Sequence, residues 1–134
     1  MTYEILVIDD EEFVRDAFTL ALTVEPVYHV RTADSGQTGL SMAREQRPDL
    51  IFLDLNMPKM SGVEVMRALL GEDPTLRIYI VTAFHREFME ELRDARDSGL
   101  AFELARKPLG AEQIRTVVHG ALGGVAVDPS TGLE

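Results

Sequence analysis

Four short stretches of the 134-residue chain carry residue types that could do chemistry together. Asp9, Asp10, Glu11 and Glu12 crowd behind the apolar run Ile5-Leu6-Val7-Ile8. Asp54 closes Leu50-Ile51-Phe52-Leu53, Thr82-Ala83 closes Ile78-Tyr79-Ile80-Val81, and Lys107-Pro108 closes the segment 100–106. Asp9, Asp10 and Asp54 brought together as bare anions would strongly raise one another's pKa. A divalent cation removes that repulsion. An all-oxygen donor set, with no His or Cys beside it, selects Mg²⁺ over zinc or copper. Mg²⁺ keeps several waters and favours one or two carboxylates plus phosphoryl oxygens, so such a site suits a phosphoryl group. A carboxylate beside the metal can itself be the nucleophile, giving an aspartyl phosphate. Lys107 would neutralise one phosphoryl oxygen and the Thr82 hydroxyl would donate to another, so catalysis would rest on positioning and charge compensation.

That chemistry needs elements that bring the four stretches to one place. The runs at 5–8, 50–53 and 78–81 are continuously apolar and rich in β-branched residues, as strands covered on both faces are. Tyr28 to Thr32 alternates instead, with His29 and Arg31 on one face, and Leu100 to Arg106 alternates with Leu100, Phe102 and Leu104 together. Alternation with charges marks sheet edges. Helical spacing links Val14, Ala17, Phe18, Ala21 and Leu22; Leu40 and Ala43; Val63, Met66 and Leu70; Phe88, Leu92 and Ala95; and Ile114, Val117, Val118 and Ala121. Pro26, Pro48 and Pro74 fall between helix and strand, and Ser35 and Ser61 are suited to N-cap positions. The order βαβαβαβαβα predicts an α/β fold: one five-stranded parallel sheet, doubly wound with five helices. Strand order 2-1-3-4-5 puts the alternating strands at the edges, and so does 5-1-3-4-2. In either, ligands bind beyond the carboxyl ends of the strands, where the four stretches converge.

Composition sets the limits. The chain has the length of one domain, and its 46% apolar content supports a core rather than disorder. It has no cysteine, which removes disulfides, thiolate metal sites and cysteine nucleophiles. Thirteen basic against 23 acidic residues give a net charge of −10, which repels phosphate backbones and argues against direct nucleic-acid binding. No apolar run approaches the ~20 residues that span a bilayer, and Met1-Thr2-Tyr3-Glu4 has no positive leader region. The expectation is a cytoplasmic domain with no membrane contact. It covers 1–122, with 123–134, rich in Gly and containing Pro129, as a tail or the start of a linker. Phe13, Phe18, Phe52 and Phe88 are expected in the core. His29, His85 and His119 are scattered and expected at the surface, as are Glu87, Glu90, Glu91, Arg93, Asp94, Arg96 and Asp97. Glu11 and Glu12 are read only as favouring the dipole of the first helix.

Ile8-Asp9-Asp10-Glu11, Asp54-Leu55-Asn56-Met57-Pro58-Lys59-Met60-Ser61-Gly62, Val81-Thr82-Ala83 and Lys107-Pro108, in this order, resemble the receiver domain of two-component response regulators over about residues 3–122. The resemblance implies the flavodoxin-like order 2-1-3-4-5. It implies phosphoacceptor Asp54, Mg²⁺ held by Asp9, Asp10, Asp54 and the main-chain carbonyl of Asn56, and phosphoryl contacts from Thr82 and Lys107. The Lys107-Pro108 bond is implied to be cis. The partner implied is a sensor histidine kinase or phosphotransfer protein, with the effector domain or partner unnamed, and the state a monomer or weak dimer. Asn56 and Phe84 stand at positions that tune phosphoryl lifetime in receivers. Such a domain is no turnover enzyme and promotes only its own phosphorylation and dephosphorylation.

The switch region departs from the family. Receivers commonly carry Tyr or Phe three residues before the matched Lys, a ring that moves when the Thr bonds the phosphoryl group. Here that residue is Leu104, with Phe102 two residues earlier on the same face. The aromatic switch is therefore expected to be absent or relocated to Phe102. The rivals are a pseudo-receiver that binds without phosphate, which the intact acidic set opposes, and a haloacid-dehalogenase-like phosphatase. The phosphatase would want a second carboxylate where Asn56 stands, and would carry its nucleophile on the first strand. An FMN binder would want a Ser/Thr/Gly loop where Asp9 to Glu12 lie.

Overall fold

The structure, a computed structural model, describes residues 2–83 and 85–122. The expected tail 123–134 and the lifetime position Phe84 lie outside the described residues. Five strands and five helices alternate: β1 Tyr3–Ile8, α1 Glu12–Leu22, β2 Tyr28–Ala33, α2 Gly36–Glu45, β3 Leu50–Leu53, α3 Gly62–Glu72, β4 Ile78–Thr82, α4 Met89–Asp97, β5 Glu103–Arg106 and α5 Ala111–Ala121. A 3₁₀ turn, His85–Phe88, leads into α4. The sheet is parallel in the order β2-β1-β3-β4-β5, so the 5-1-3-4-2 alternative falls.

The two-residue period of the central strands divides the core into two layers. Leu6, Ile8, Ile51, Leu53, Ile78 and Ile80 face α2, α3 and α4, which contribute Leu40, Val63, Met66, Leu69 and Leu92. Ile5, Val7, Leu50, Phe52 and Val81 face α1 and α5, which contribute Phe18, Leu22, Ile114 and Val118. Helices α2 and α3 start at the caps the sequence predicts. The Ser35 hydroxyl accepts the Thr38 N–H at 3.2 Å. At α3 Ser61 and Glu64 form a reciprocal capping box, with bonds of 3.3 and 2.9 Å.

Three expectations need correction. Phe13 is 73% exposed rather than in the core. Ala17 is also exposed, because α1 turns Phe18, Ala21 and Leu22 inward and the edge that carries Phe13 and Ala17 outward. The last strand is shorter than the alternating segment that announced it. Gly99, at φ +92°, ends α4, and the Leu100 N–H bonds back to the Ala95 carbonyl at 3.1 Å, so the chain is still leaving the helix at Leu100. Leu104 lies opposite Ile80, on the face it was expected to share with Phe102, yet it is 39% exposed while Phe102 is buried. Helix α4 covers Phe102, with the Arg96 guanidinium 4.3 Å from its ring centroid, and leaves Leu104 open.

Candidate functional site

The strands do more than end near the site residues; their hydrogen-bond ladders run on through them. The Asp9 N–H bonds the Ala33 carbonyl at 3.1 Å, the Asp54 N–H bonds Ile8 at 3.0 Å, and the Lys107 N–H bonds Thr82 at 3.1 Å. Asp9, Asp54 and Thr82 are thereby held at the carboxyl edge of the sheet, and all three are buried. Asp10 and Asn56 lie one and two residues further along their loops and are exposed.

At this edge Asp9, Asp10 and Asp54 each present a carboxylate oxygen within 4.8 Å of the others. Lys107 enters from the far end of β5, next to a cis Lys107-Pro108 bond. Its Nζ lies 2.9 Å from Asp9 Oδ2, 3.1 Å from Glu11 Oε1 and 3.4 Å from Asp54 Oδ1. Burial, then the charge of Asp9, pushes the Asp54 carboxyl up to about 6; Lys107 opposes the rise and Asp10 adds to it. Burial also raises Asp9, against the pull of the Glu11 N–H and Lys107. Burial works against the charge on Lys107, but the hydrogen bond and charge of Asp9, with Asp54 and Glu11 behind them, outweigh it and hold the ammonium firmly protonated.

The donors fit a hard cation. The cluster is oxygen-only, contains no His, and carries more negative charge than one ammonium can balance. Asp9, Asp10 and Asp54 could hold such an ion.

A response regulator receiver domain model matches residues 5–119 of the chain. The chain belongs to this family. It is a receiver domain of two-component signalling, a family of signalling domains rather than turnover enzymes. It is 33% identical over 119 residues to the response regulator GacA of Pseudomonas aeruginosa, a match covering 87% of this chain and 56% of that protein. To the response regulator MprA of Mycobacterium tuberculosis (strain ATCC 25618 / H37Rv) it is 35% identical over 114 residues, covering 85% and 48%. The receiver thus spans about half the length of these curated relatives. Among solved structures, a response regulator receiver domain protein from Clostridium thermocellum matches with a TM-score of 0.77 at 28% identity, over 90% of this chain and 94% of that one. A CheY-like receiver from Methanospirillum hungatei JF-1 reaches 0.81 at 20% identity, over 92% and 95%, a likeness of fold. Among the described residues no helix is long and apolar enough to cross a membrane.

Of the residues singled out from sequence, the fold brings Asp9, Asp10, Asp54 and Lys107 into one cluster, with Thr82 beside Lys107 on the neighbouring strand. Phe102 and Leu104 lie away from the cluster, towards α4. Three residues of this receiver site escaped sequence reasoning. Glu11, read only as a helix-dipole charge, reaches Lys107, and a separation of 96 positions left no local signal. Arg15 donates from Nη1 to the Asp9 carbonyl at 2.8 Å and so braces the turn that carries Asp9 and Asp10. Gly62 packs where a Cβ would strike the Asp54 carbonyl and come within 2.8 Å of Leu55 Cα. Its place in the loop motif was visible in the sequence, but the reason for it was not.

Proposed function

We propose that Asp54 accepts a phosphoryl group from the phosphohistidine of a sensor histidine kinase or phosphotransfer protein, in a Mg²⁺-dependent reaction that changes what the domain binds. An Asp54 oxygen attacks phosphorus in line. The new P–O bond forms as the P–N bond breaks, and the imidazole leaves with the electron pair. Asp9, Asp10 and Asp54, with the Asn56 main-chain carbonyl, would hold the metal. When bound it supplies positive charge against the phosphoryl oxygens. Lys107 gives a donor of its ammonium to one phosphoryl oxygen, and the Thr82 hydroxyl donates to another. The observation that carries this reading is the buried Asp54 carboxylate at the end of β3, within reach of two further carboxylates and of Lys107.

The reading has further parts. Asn56 and Phe84, which match the positions that tune phosphoryl lifetime in receivers, set the lifetime of the acyl phosphate. Residues 1–122 act as the receiver and 123–134 as tail or linker. The setting is the cytoplasm, the domain a monomer or weak dimer, and the net charge of −10 keeps it off nucleic acid. The switch runs without a mobile ring: Phe102 is covered by Arg96, so Thr82 passes the signal to the following loop and α4. The test is incubation with acetyl phosphate and Mg²⁺, read by intact mass. Wild type should gain one phosphoryl group, and neither Asp54→Asn nor wild type with chelator should. Full modification of Asp54→Asn would reject the assignment.

A further inference from the structure

Lys107 has three N–H donors, and three carboxylates already surround it. Two of these are locked. Asp9 and Asp54 have side chains only 4% and 5% exposed. Both are tied into the strand ladder through their own N–H groups, and Asp9 also accepts the Glu11 N–H at 2.9 Å. Glu11 differs. Its side chain is 58% exposed. It occupies the N-cap position of α1, yet that side chain makes no capping bond. It stands outside the cluster of three carboxylates able to share a cation. Among the described residues its side chain bonds only Lys107, at 3.1 Å.

We propose that Glu11 is a positioning residue that holds one donor of Lys107 in the resting state and must release it before a phosphoryl oxygen can take its place, so that its charge slows phosphoryl acceptance. This rests on the function proposed above. An incoming phosphoryl oxygen needs a donor from Lys107, and the buried aspartates cannot turn away to free one. Glu11 can, because water receives its carboxylate at little cost. Until it leaves, it adds a fourth negative charge beside a donor that is itself an anion. Removing it leaves Lys107 in place, since Asp9 holds the ammonium at 2.9 Å. What changes is the competition for the donor and the repulsion, and both favour the incoming group.

The test compares wild type, Glu11→Gln and Glu11→Asp with acetyl phosphate and Mg²⁺ at low and high salt. Glu11→Gln should be phosphorylated about two- to fivefold faster, the size of one exposed ion pair. The gain should shrink at high salt, as an exposed charge is screened. Glu11→Asp, which keeps the charge, should stay nearer wild type than Glu11→Gln. Calorimetric titration should find Mg²⁺ affinity within about twofold of wild type in Glu11→Gln, as expected for an exposed carboxylate outside the metal cluster. In metal-free protein the Lys107 ammonium NMR signal should move on Glu11→Gln. An equal or slower rate, a gain indifferent to salt, a larger loss of Mg²⁺ affinity or an unmoved ammonium signal would each overturn the proposal. If wild type accepts no phosphoryl group, the function reading and the brake on it fall together, while the ammonium signal still decides whether Glu11 holds Lys107.

Discussion

β3 and β5 are four-residue strands of one sheet, and each delivers a key side chain to the same edge. β3 delivers Asp54 and β5 delivers Lys107. All four residues of β3 are buried, whereas Glu103, Leu104 and Arg106 of β5 are exposed and Ala105 is half-buried. β3 has a strand on either side and a helix layer on both faces. β5 is an edge strand whose cover by α4 stops at Phe102. Asp54, the proposed phosphoacceptor, therefore stands on the most constrained element. Lys107, which in the proposed reaction exchanges a carboxylate for a phosphoryl oxygen, comes from one with room to adjust. Local stability is unequal across a fold, and elements that move are drawn from its weaker end.

The sharpest way to break this comparison is to truncate equivalent side chains. Leu53→Ala removes a fully buried side chain of β3 and should cost about 2–5 kcal/mol in denaturant unfolding. Leu104→Ala should cost under about 1 kcal/mol. Similar losses at the two sites would show that the strands are not differently constrained.

The constraint on β3 also has an electrostatic cost. Burial raises Asp54 to about 6, and raises Asp9 as well, above their values in the unfolded chain. The stability linked to these groups is present below the unfolded carboxylate range, near pH 4, and is lost as the pH rises through about 6. For Asp54 alone the loss is on the order of 3 kcal/mol. Metal-free protein should therefore unfold at a lower denaturant midpoint at pH 7.5 than at pH 5. Asp54→Asn should flatten that slope, and Mg²⁺ should offset it at pH 7.5. A stability that rises steadily from pH 5 to 7.5 without metal would contradict the buried-anion picture.

Between the two strands in expected effect lies the contact that joins α4 to β5. Arg96 stacks on Phe102 and donates from Nη2 to its carbonyl at 3.2 Å. Arg96→Ala should cost about 1 kcal/mol and speed amide hydrogen exchange in α4 while leaving β3 unchanged. Equal acceleration in both would place α4 and β3 in one cooperative unit.

The same contrast explains what could be read from the sequence. Asp9, Asp10, Asp54 and Thr82 were legible because they end apolar runs, and Lys107 because it ends an alternating one; parallel-sheet topology sends such ends to one edge. The central strands announced themselves by continuous apolar runs. Misreadings gathered where burial depends on a neighbour remote in sequence. Phe13 has the type of a core residue, but α1 turns it outward. Leu104 alternates correctly with Phe102, yet only Phe102 lies under α4. Glu11 looked like a helix-dipole charge because Lys107, its partner, follows 96 residues later.

The central claim is that the carboxylate fixed at the end of β3 takes the phosphoryl group. Reductive trapping tests it most directly. Protein treated with acetyl phosphate and Mg²⁺ is reduced with borohydride, which converts an acyl phosphate to the corresponding alcohol, and the peptides are sequenced by mass spectrometry. The account predicts homoserine at position 54 and unmodified aspartate at positions 9 and 10. Homoserine at position 9 or 10, or none at 54 in protein whose intact mass shows an added phosphoryl group, would contradict it.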